Sequence, residues 1–203
     1  MSDMLQKESA LDTMREPSNL IIAIEEASFQ GMITLRAYDL CSELLAETLR
    51  DIIKCEIPEV CKVCFGDETA ILWMSPDELM IYVPYDDVDV IIKEIETRLV
   101  SYGHFFCVNV SDARAILRLS GEHVREVIAK GCPVDLKRNS FVAGDMRRTR
   151  IASVAVGLYR KSQKPEVFEV FCYRSYVKYL WDWLCASSKS CTVPMVFGST
   201  ADE

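Results

Sequence analysis

Residues 108–136 read VNVSDARAILRLSGEHVREVIAKGCPVDL. Arg114, Ile116 and Arg118 alternate with Ala115, Leu117 and Leu119. This period of two marks a strand with one buried face and one half-exposed face. After Ser120 the spacing changes to that of a helix, with Val124, Val127 and Ile128 on one stripe. Gly131 followed by Pro133 ends it. The run Lys130-Gly131-Cys132-Pro133 therefore predicts a helix stop with Gly131 in the left-handed region.

The same order occurs upstream. The strand Ile33–Ala37, with its Leu35-Arg36 pair, stands 82 positions before Leu117-Arg118. A helix is predicted after Asp39, a good N-cap, with Leu40, Leu44, Leu45, Leu49 and Ile52 on one stripe. Strands follow at Val60–Phe65, Ala70–Met74 and Leu79–Val83, the last two joined by the turn Ser75-Pro76-Asp77-Glu78. A helix from Asp86 or Asp87 carries Val88, Ile91, Ile92, Ile95 and Leu99. In the second half, strands are expected at Phe105–Val110, Thr149–Tyr159 and Val167–Cys172. A helix after Ser175 carries Val177, Leu180, Trp181 and Leu184. Strand, helix, hairpin, helix thus occurs twice. The expected fold is α+β: residues 19–185 form one domain of two β-α-β-β-α pseudo-repeats, about 30–100 and 101–185. Their mostly antiparallel sheets are covered by helices. Residues 1–18 and 186–203 read as loose tails.

The chain has 203 residues, half of them apolar, enough for a core. It contains no apolar run of the roughly 18 residues a membrane span needs, and its start is neither a secretory signal nor a transit peptide, so a cytoplasmic location is expected. The nine cysteines are odd in number and several sit within apolar runs, so most are read as buried thiols. Residues 1–100 hold 8 Lys/Arg against 21 Asp/Glu, and residues 101–203 hold 15 against 10. Net acidity argues against nucleic acid as partner. The basic second half suits either a solvated face or an anionic partner.

No G-x-G-x-x-G, Walker A or G-x-S-x-G pattern occurs. His104 and His123 have no paired nucleophile, and His123 reads as a solvent-exposed or capping residue. Cys61-Lys62-Val63-Cys64 lacks the second ligand pair of a zinc site and lies in a strand rather than at a helix start, where a redox pair would sit. No catalytic residue and no metal ligand is assigned. Arg147, Arg148 and Arg150, with Lys137 and Arg138 upstream, form the densest basic group, suited to carboxylate or phosphate. Tyr179 and Trp183 lie off the apolar stripe of the last helix. With the arginines they are the candidate partner or anion contacts.

The 108–136 stretch, with ITLR at Ile33, ILWMSPDELMIYV at Ile71, KGCPVDL at Lys130, Phe141 and Gly144, and RSYVKYLWDWL at Arg174, resembles the gamma subunit of heterotetrameric sarcosine oxidase. The likeness runs from about Ile33 to Leu184. It implies a fold similar to the folate-binding domain of the glycine-cleavage T-protein, itself built of duplicated ferredoxin-like halves. It marks Asn109, Ser111, Asp112, Arg114, Gly121, Lys130, Gly131 and Cys132 as family-motif positions. The family usually has Asp at the place of Asn109 and Pro at that of Glu122. The lost carboxylate weakens a folate-chemistry reading. In folate-dependent iron–sulfur assembly proteins a Gly-Gln pair follows KGC, whereas Pro133-Val134-Asp135 follows here. The resemblance implies a non-catalytic subunit that binds no cofactor itself and supports a large, alpha-type flavoprotein. That complex uses FAD, FMN, NAD and tetrahydrofolate, with zinc on its delta subunit. The alternative is a stand-alone folate-binding protein or one-carbon transferase.

Overall fold

The computed structural model describes residues 7–12, 19–189 and 196–197. In chain order the elements are β1 (Ala23–Glu26), β2 (Gln30–Ala37), α1 (Glu43–Ile53), β3 (Val63–Phe65), β4 (Ala70–Ser75), β5 (Glu78–Pro84), α2 (Val88–Arg98), β6 (Phe105–Asn109), β7 (Arg114–Ser120), α3 (Val124–Ala129), β8 (Met146–Ile151), β9 (Val154–Ser162), β10 (Val167–Tyr173) and α4 (Val177–Ser188). The strands form two five-stranded antiparallel sheets, β3-β4-β5-β2-β6 and β1-β7-β10-β9-β8. No helix among the described residues is long and apolar enough to cross a membrane.

Both sheets are covered on both faces at their centres. Ile33, Leu35, Leu79, Ile81 and Val83 pack with Leu45 and Leu49 of α1 and Ile95 of α2. Leu117, Leu119, Leu158 and Val170 pack with Val127 of α3 and Leu180 of α4. The alternate side chains, Met32, Leu72, Met80 and Tyr82 from one sheet and Ile116, Tyr159 and Phe171 from the other, meet in a third core between the sheets. The layers therefore run helix, sheet, sheet, helix. Two-sided burial explains why these strands read as near-continuous apolar runs.

The repeat is larger than the β-α-β-β-α unit expected. Each copy is β-β-α-β-β-β-α, and its first strand pairs with the other copy's sheet. β1 joins β7, and β6 joins β2. Glu26 faces Leu117 as Asn109 faces Ile33, so β2 and β7 match 84 positions apart rather than 82. A slip of two preserves which face each side chain takes, so the mismatch is silent in the alternation. The exchange is reinforced by paired backbone bonds. Ala27 N–H donates to the Ile116 carbonyl and Val110 N–H to that of Met32, each at 2.9 Å. On the far side Val63 N–H donates to Gly144 (2.8 Å) and Met146 N–H to Cys61 (2.9 Å). Lys62 and Asp145 add an ion pair at 2.5 Å across this seam.

Several local expectations shift. The first helix starts after Ser42, which makes no side-chain capping bond, because Asp39 forms its own turn with the Cys41 N–H (2.9 Å). Its buried stripe is Leu45, Thr48, Leu49 and Ile53, leaving Leu44 exposed. The expected strand Thr149–Tyr159 is the hairpin β8–β9, closed at Ala152, whose φ is 50°. The half-exposed arginine face of β7 lies on the side of the other sheet, and Arg118 donates to Glu169 of the neighbouring strand β10 at 2.9 Å. Parts of both expected tails are ordered. Leu11 is buried, the Ala10 and Leu11 N–H groups donate to Glu26, and α4 continues to Ser188. Cys191 and the rest of the tails lie outside the described residues.

A buried ion cluster holds the 136–141 loop. Arg125, with no exposure, donates to Glu166 (2.8 Å) and to the carbonyls of Leu136 and Phe141. Arg160 pairs with the same carboxylate at 2.8 Å. Removing one member of such a pair costs about 3–5 kcal/mol.

Burial raises the Asp145 carboxyl, but the Lys62 ammonium and the Val142 N–H outweigh it and hold the group below its usual range. A depressed carboxyl adds stability above its unfolded pKa of about 4 and loses it as pH falls through the lower folded value. Asp145→Asn should lower the neutral denaturation midpoint and flatten the acid limb of a stability–pH curve. An acid limb as steep as that of the unchanged chain would contradict this.

Candidate functional site

Of the positions the resemblance marked, Asn109, Ser111, Asp112 and Arg114 lie at the exchange, and Gly121, Lys130, Gly131 and Cys132 flank α3. Asn109 ends β6, and its side-chain oxygen accepts from both the N–H (3.1 Å) and the hydroxyl (2.7 Å) of Ser111. The Ser111 oxygen in turn accepts the Met32 N–H at 2.9 Å. An amide oxygen performs this acceptor task as a carboxylate would, and the asparagine nitrogen faces Asp89 at 3.4 Å. Asp112 accepts from the Tyr85 hydroxyl (2.9 Å); that bond, with burial, pushes the phenol above its ordinary value. Gly121, at φ 124°, makes the turn into α3 and passes close to Ile22. Lys130 donates to the Ser187 carbonyl (2.6 Å), and buried Cys132 sits by Thr149.

Gly131 does not take the left-handed conformation the sequence suggests: the positive-φ glycines among the described residues are Gly103, Gly121 and Gly144. Its demand is for space. A Cβ there would lie 2.6 Å from the Trp183 indole and 3.0 Å from the Ala152 nitrogen. Trp183 is accordingly not a free anchor but packs on the α3–α4 core. Tyr179 remains about half exposed.

The basic group is divided. Arg147 turns inward, donating to the carbonyls of Cys61 (3.2 Å) and Met146 (2.7 Å) and lying over the Phe141 ring. Arg138 is half-buried, with Nε on the Phe197 carbonyl at 2.9 Å, while Lys137 is exposed. Arg150 is exposed on β8. Arg148 alone joins other arginines, in a cleft of about 480 Å³ where the sheets part, lined also by Arg36, Arg114, Glu78, Phe171 and Tyr173. Below it Glu169 accepts from Tyr159, Lys161 and Arg118. Burial raises the Glu169 carboxyl, and these donors outweigh it and hold it below the usual range. Burial pushes the phenols of Tyr82 and Tyr159 well up.

His123 occupies the N-cap of α3, half-buried and without a side-chain capping bond, and His104 is exposed. Cys61, at φ 62°, spends its carbonyl on the seam with β8, giving the C-x-x-C segment a backbone role. Among the described residues no group of three or more His, Cys, Asp or Glu is placed to hold a metal ion.

Sequence reasoning placed β6 as a strand, expected at Phe105–Val110, but not as an exposed apolar edge. One side pairs with β2; at its end of the sheet Phe106 and Val108 are exposed by 48% and 45%, and Tyr38 nearby by 71%. The available signal was the apolar run FFCV itself, too long for a strand with a solvated face.

If Trp183 sets the requirement at Gly131, Gly131→Ala should cost about 1–3 kcal/mol. Combined with Trp183→Ala it should cost less than the sum of the two. Strict additivity in urea denaturation would refute the contact.

Comparison with known proteins agrees with this geometry. The curated sarcosine oxidase gamma subunit of Corynebacterium sp. (strain P-1) is 25% identical over 170 residues, covering 80% of this chain and 78% of that protein. That of Arthrobacter sp is 27% identical over 154 residues, covering 72% and 73%. Among solved structures, the heterotetrameric sarcosine oxidase of Corynebacterium sp. U-96, in complex with pyrrole 2-carboxylate, has a chain that aligns with TM-score 0.75 at 21% identity, covering 91% of this chain and 94% of that one. The glycine cleavage system aminomethyltransferase T of Bartonella henselae aligns with TM-score 0.57 at 12% identity, covering 82% and 46%. The pattern of the sarcosine oxidase gamma subunit family matches residues 38–190, three quarters of the sequence, and the chain belongs to that family.

Proposed function

We propose that this chain is a non-catalytic subunit of a sarcosine-oxidising complex, in which it buttresses a large flavin-bearing subunit. The complex would demethylate sarcosine to glycine, reduce oxygen to peroxide and pass the one-carbon unit to tetrahydrofolate. Its flavins, nicotinamide nucleotide and folate would sit on other subunits. The observation that carries this reading beyond family membership is β6. An edge strand presenting Phe106 and Val108 to water, beside Tyr38, is an association hazard for a solitary protein and a ready surface for a partner. Stable interfaces bury about 1,600 Å² in total around a few aromatic or arginine anchors, and this patch supplies two such aromatics.

Affinity purification of the tagged chain from its native host tests the assignment. A large flavoprotein and sarcosine-dependent peroxide release should be recovered together. Phe106→Lys should reduce that recovery at least tenfold while leaving the thermal midpoint of the isolated chain nearly unchanged, because the side chain is half exposed. Recovery of the chain alone from cells that make it abundantly would refute the subunit reading. The chain purified by itself should be colourless; a stoichiometric flavin spectrum would contradict the placement of the flavins elsewhere.

A further inference from the structure

The cleft between the sheets gathers three arginines, of which Arg36 alone is ion-paired among the described residues. Arg36 comes from β2, Arg114 from the start of β7 and Arg148 from β8, so the three reach the cleft from both sheets. Arg36 shares its charge with Asp77, and Glu78 is the one carboxylate among the lining residues. Arg148 places one N–H on the Met74 carbonyl at 3.2 Å. Arg114 is held between two rings, its guanidinium carbon 4.8 Å from the centre of Tyr173 and 5.8 Å from that of Phe171. Its Nε is buried and meets no acceptor among the described residues. A guanidinium fixed by aromatic stacking rather than by a carboxylate keeps its donors available, and a buried donor without an acceptor is costly.

We propose that this cleft binds a small organic dicarboxylate. Its size, about 480 Å³, falls within the range of small-molecule sites and far exceeds an inorganic ion. Phe171, Tyr173, Met74 and Ala155 offer an apolar lining for a carbon body. The cations are all arginines, whose planar forks match carboxylates. Among the described residues no lysine and no α-helix N-terminus, the usual aids to phosphate binding, line the site. Gly157 shapes the floor: a Cβ there would lie 2.0 Å from the Phe171 ring, so glycine lets that ring settle against β9 beneath Arg114. The site belongs to this chain alone and is independent of the partner reading.

Calorimetric titration of the purified full-length chain with succinate, citrate and inorganic phosphate, each against chloride at matched ionic strength, tests the proposal. Succinate or citrate should bind once per chain with a dissociation constant below about 1 mM. Arg148→Gln, at an exposed position, should weaken binding about tenfold or more without moving the thermal midpoint, and Arg114→Gln should abolish it. Arg150→Gln, outside the cleft, should leave it unchanged. Should Arg114→Gln fail to fold, Arg148→Gln against Arg150→Gln decides alone. The proposal is overturned by absence of saturable carboxylate binding, by phosphate binding as tightly as the dicarboxylates, or by equal effects of Arg148→Gln and Arg150→Gln.

Discussion

The reciprocal exchange of first strands constrains everything else in this fold. Because β1 completes the sheet of β7 and β6 completes the sheet of β2, neither repeat can close its own sheet. The connections from β1 to β2 and from β6 to β7 must cross between sheets at one place, where Ala27 bonds to Ile116 and Val110 to Met32. The second pair of bonds, across Cys61–Val63 and Gly144–Met146, ties the far edges. Separating the repeats would remove both sets and expose the inter-sheet core of Met32, Tyr82, Tyr159 and Phe171. Two repeats joined in this way should unfold as one cooperative unit rather than as two domains on a linker.

The same constraint sets where chemistry and contacts can lie. The sheets press together near Tyr82 and Tyr159 and diverge toward the start of β7, so the polar inner-face residues grade from the satisfied Glu169 group to the open arginine cleft. The exchanged strands occupy equivalent edges but carry different side chains. β1 presents Ala23 and Glu25 to solvent, and β6 presents Phe106 and Val108. Duplication built two equivalent edges, and one of them is apolar. That asymmetry underlies the proposal that β6, rather than β1, is the edge that meets a partner.

Much of this was legible in local spacing. The turn at Ser75–Glu78, the α2 stripe and the doubled order of strand and helix all follow from short-range periodicity, which local sterics and one-sided burial enforce. What was not legible depended on distant partners. β1 is four residues, too short to alternate convincingly, and its pairing with β7 is 90 and more positions away. The β8–β9 turn uses Ala152 at positive φ where a glycine would have announced it. The burial of Arg125 has no local sequence signal, because its partner Glu166 is 41 positions further on. Gly131 was assigned the commonest reason for a glycine at a helix end, when the reason was an indole 52 positions later. Among the candidate contact residues the composition located the basic strand but not the inward turn of Arg147, which donates to the Cys61 carbonyl of the other repeat.

Amide hydrogen exchange, compared between the isolated chain and the chain co-expressed and assembled with the flavoprotein proposed as its partner, tests the central claim most directly. The account predicts that slow exchange in β2, β5, β7 and β10 is shared by both sheets and unchanged on assembly, while Phe105–Asn109 gains protection in the complex. Gain of protection elsewhere, with β6 exchanging as fast in the complex as in the isolated chain, would contradict it.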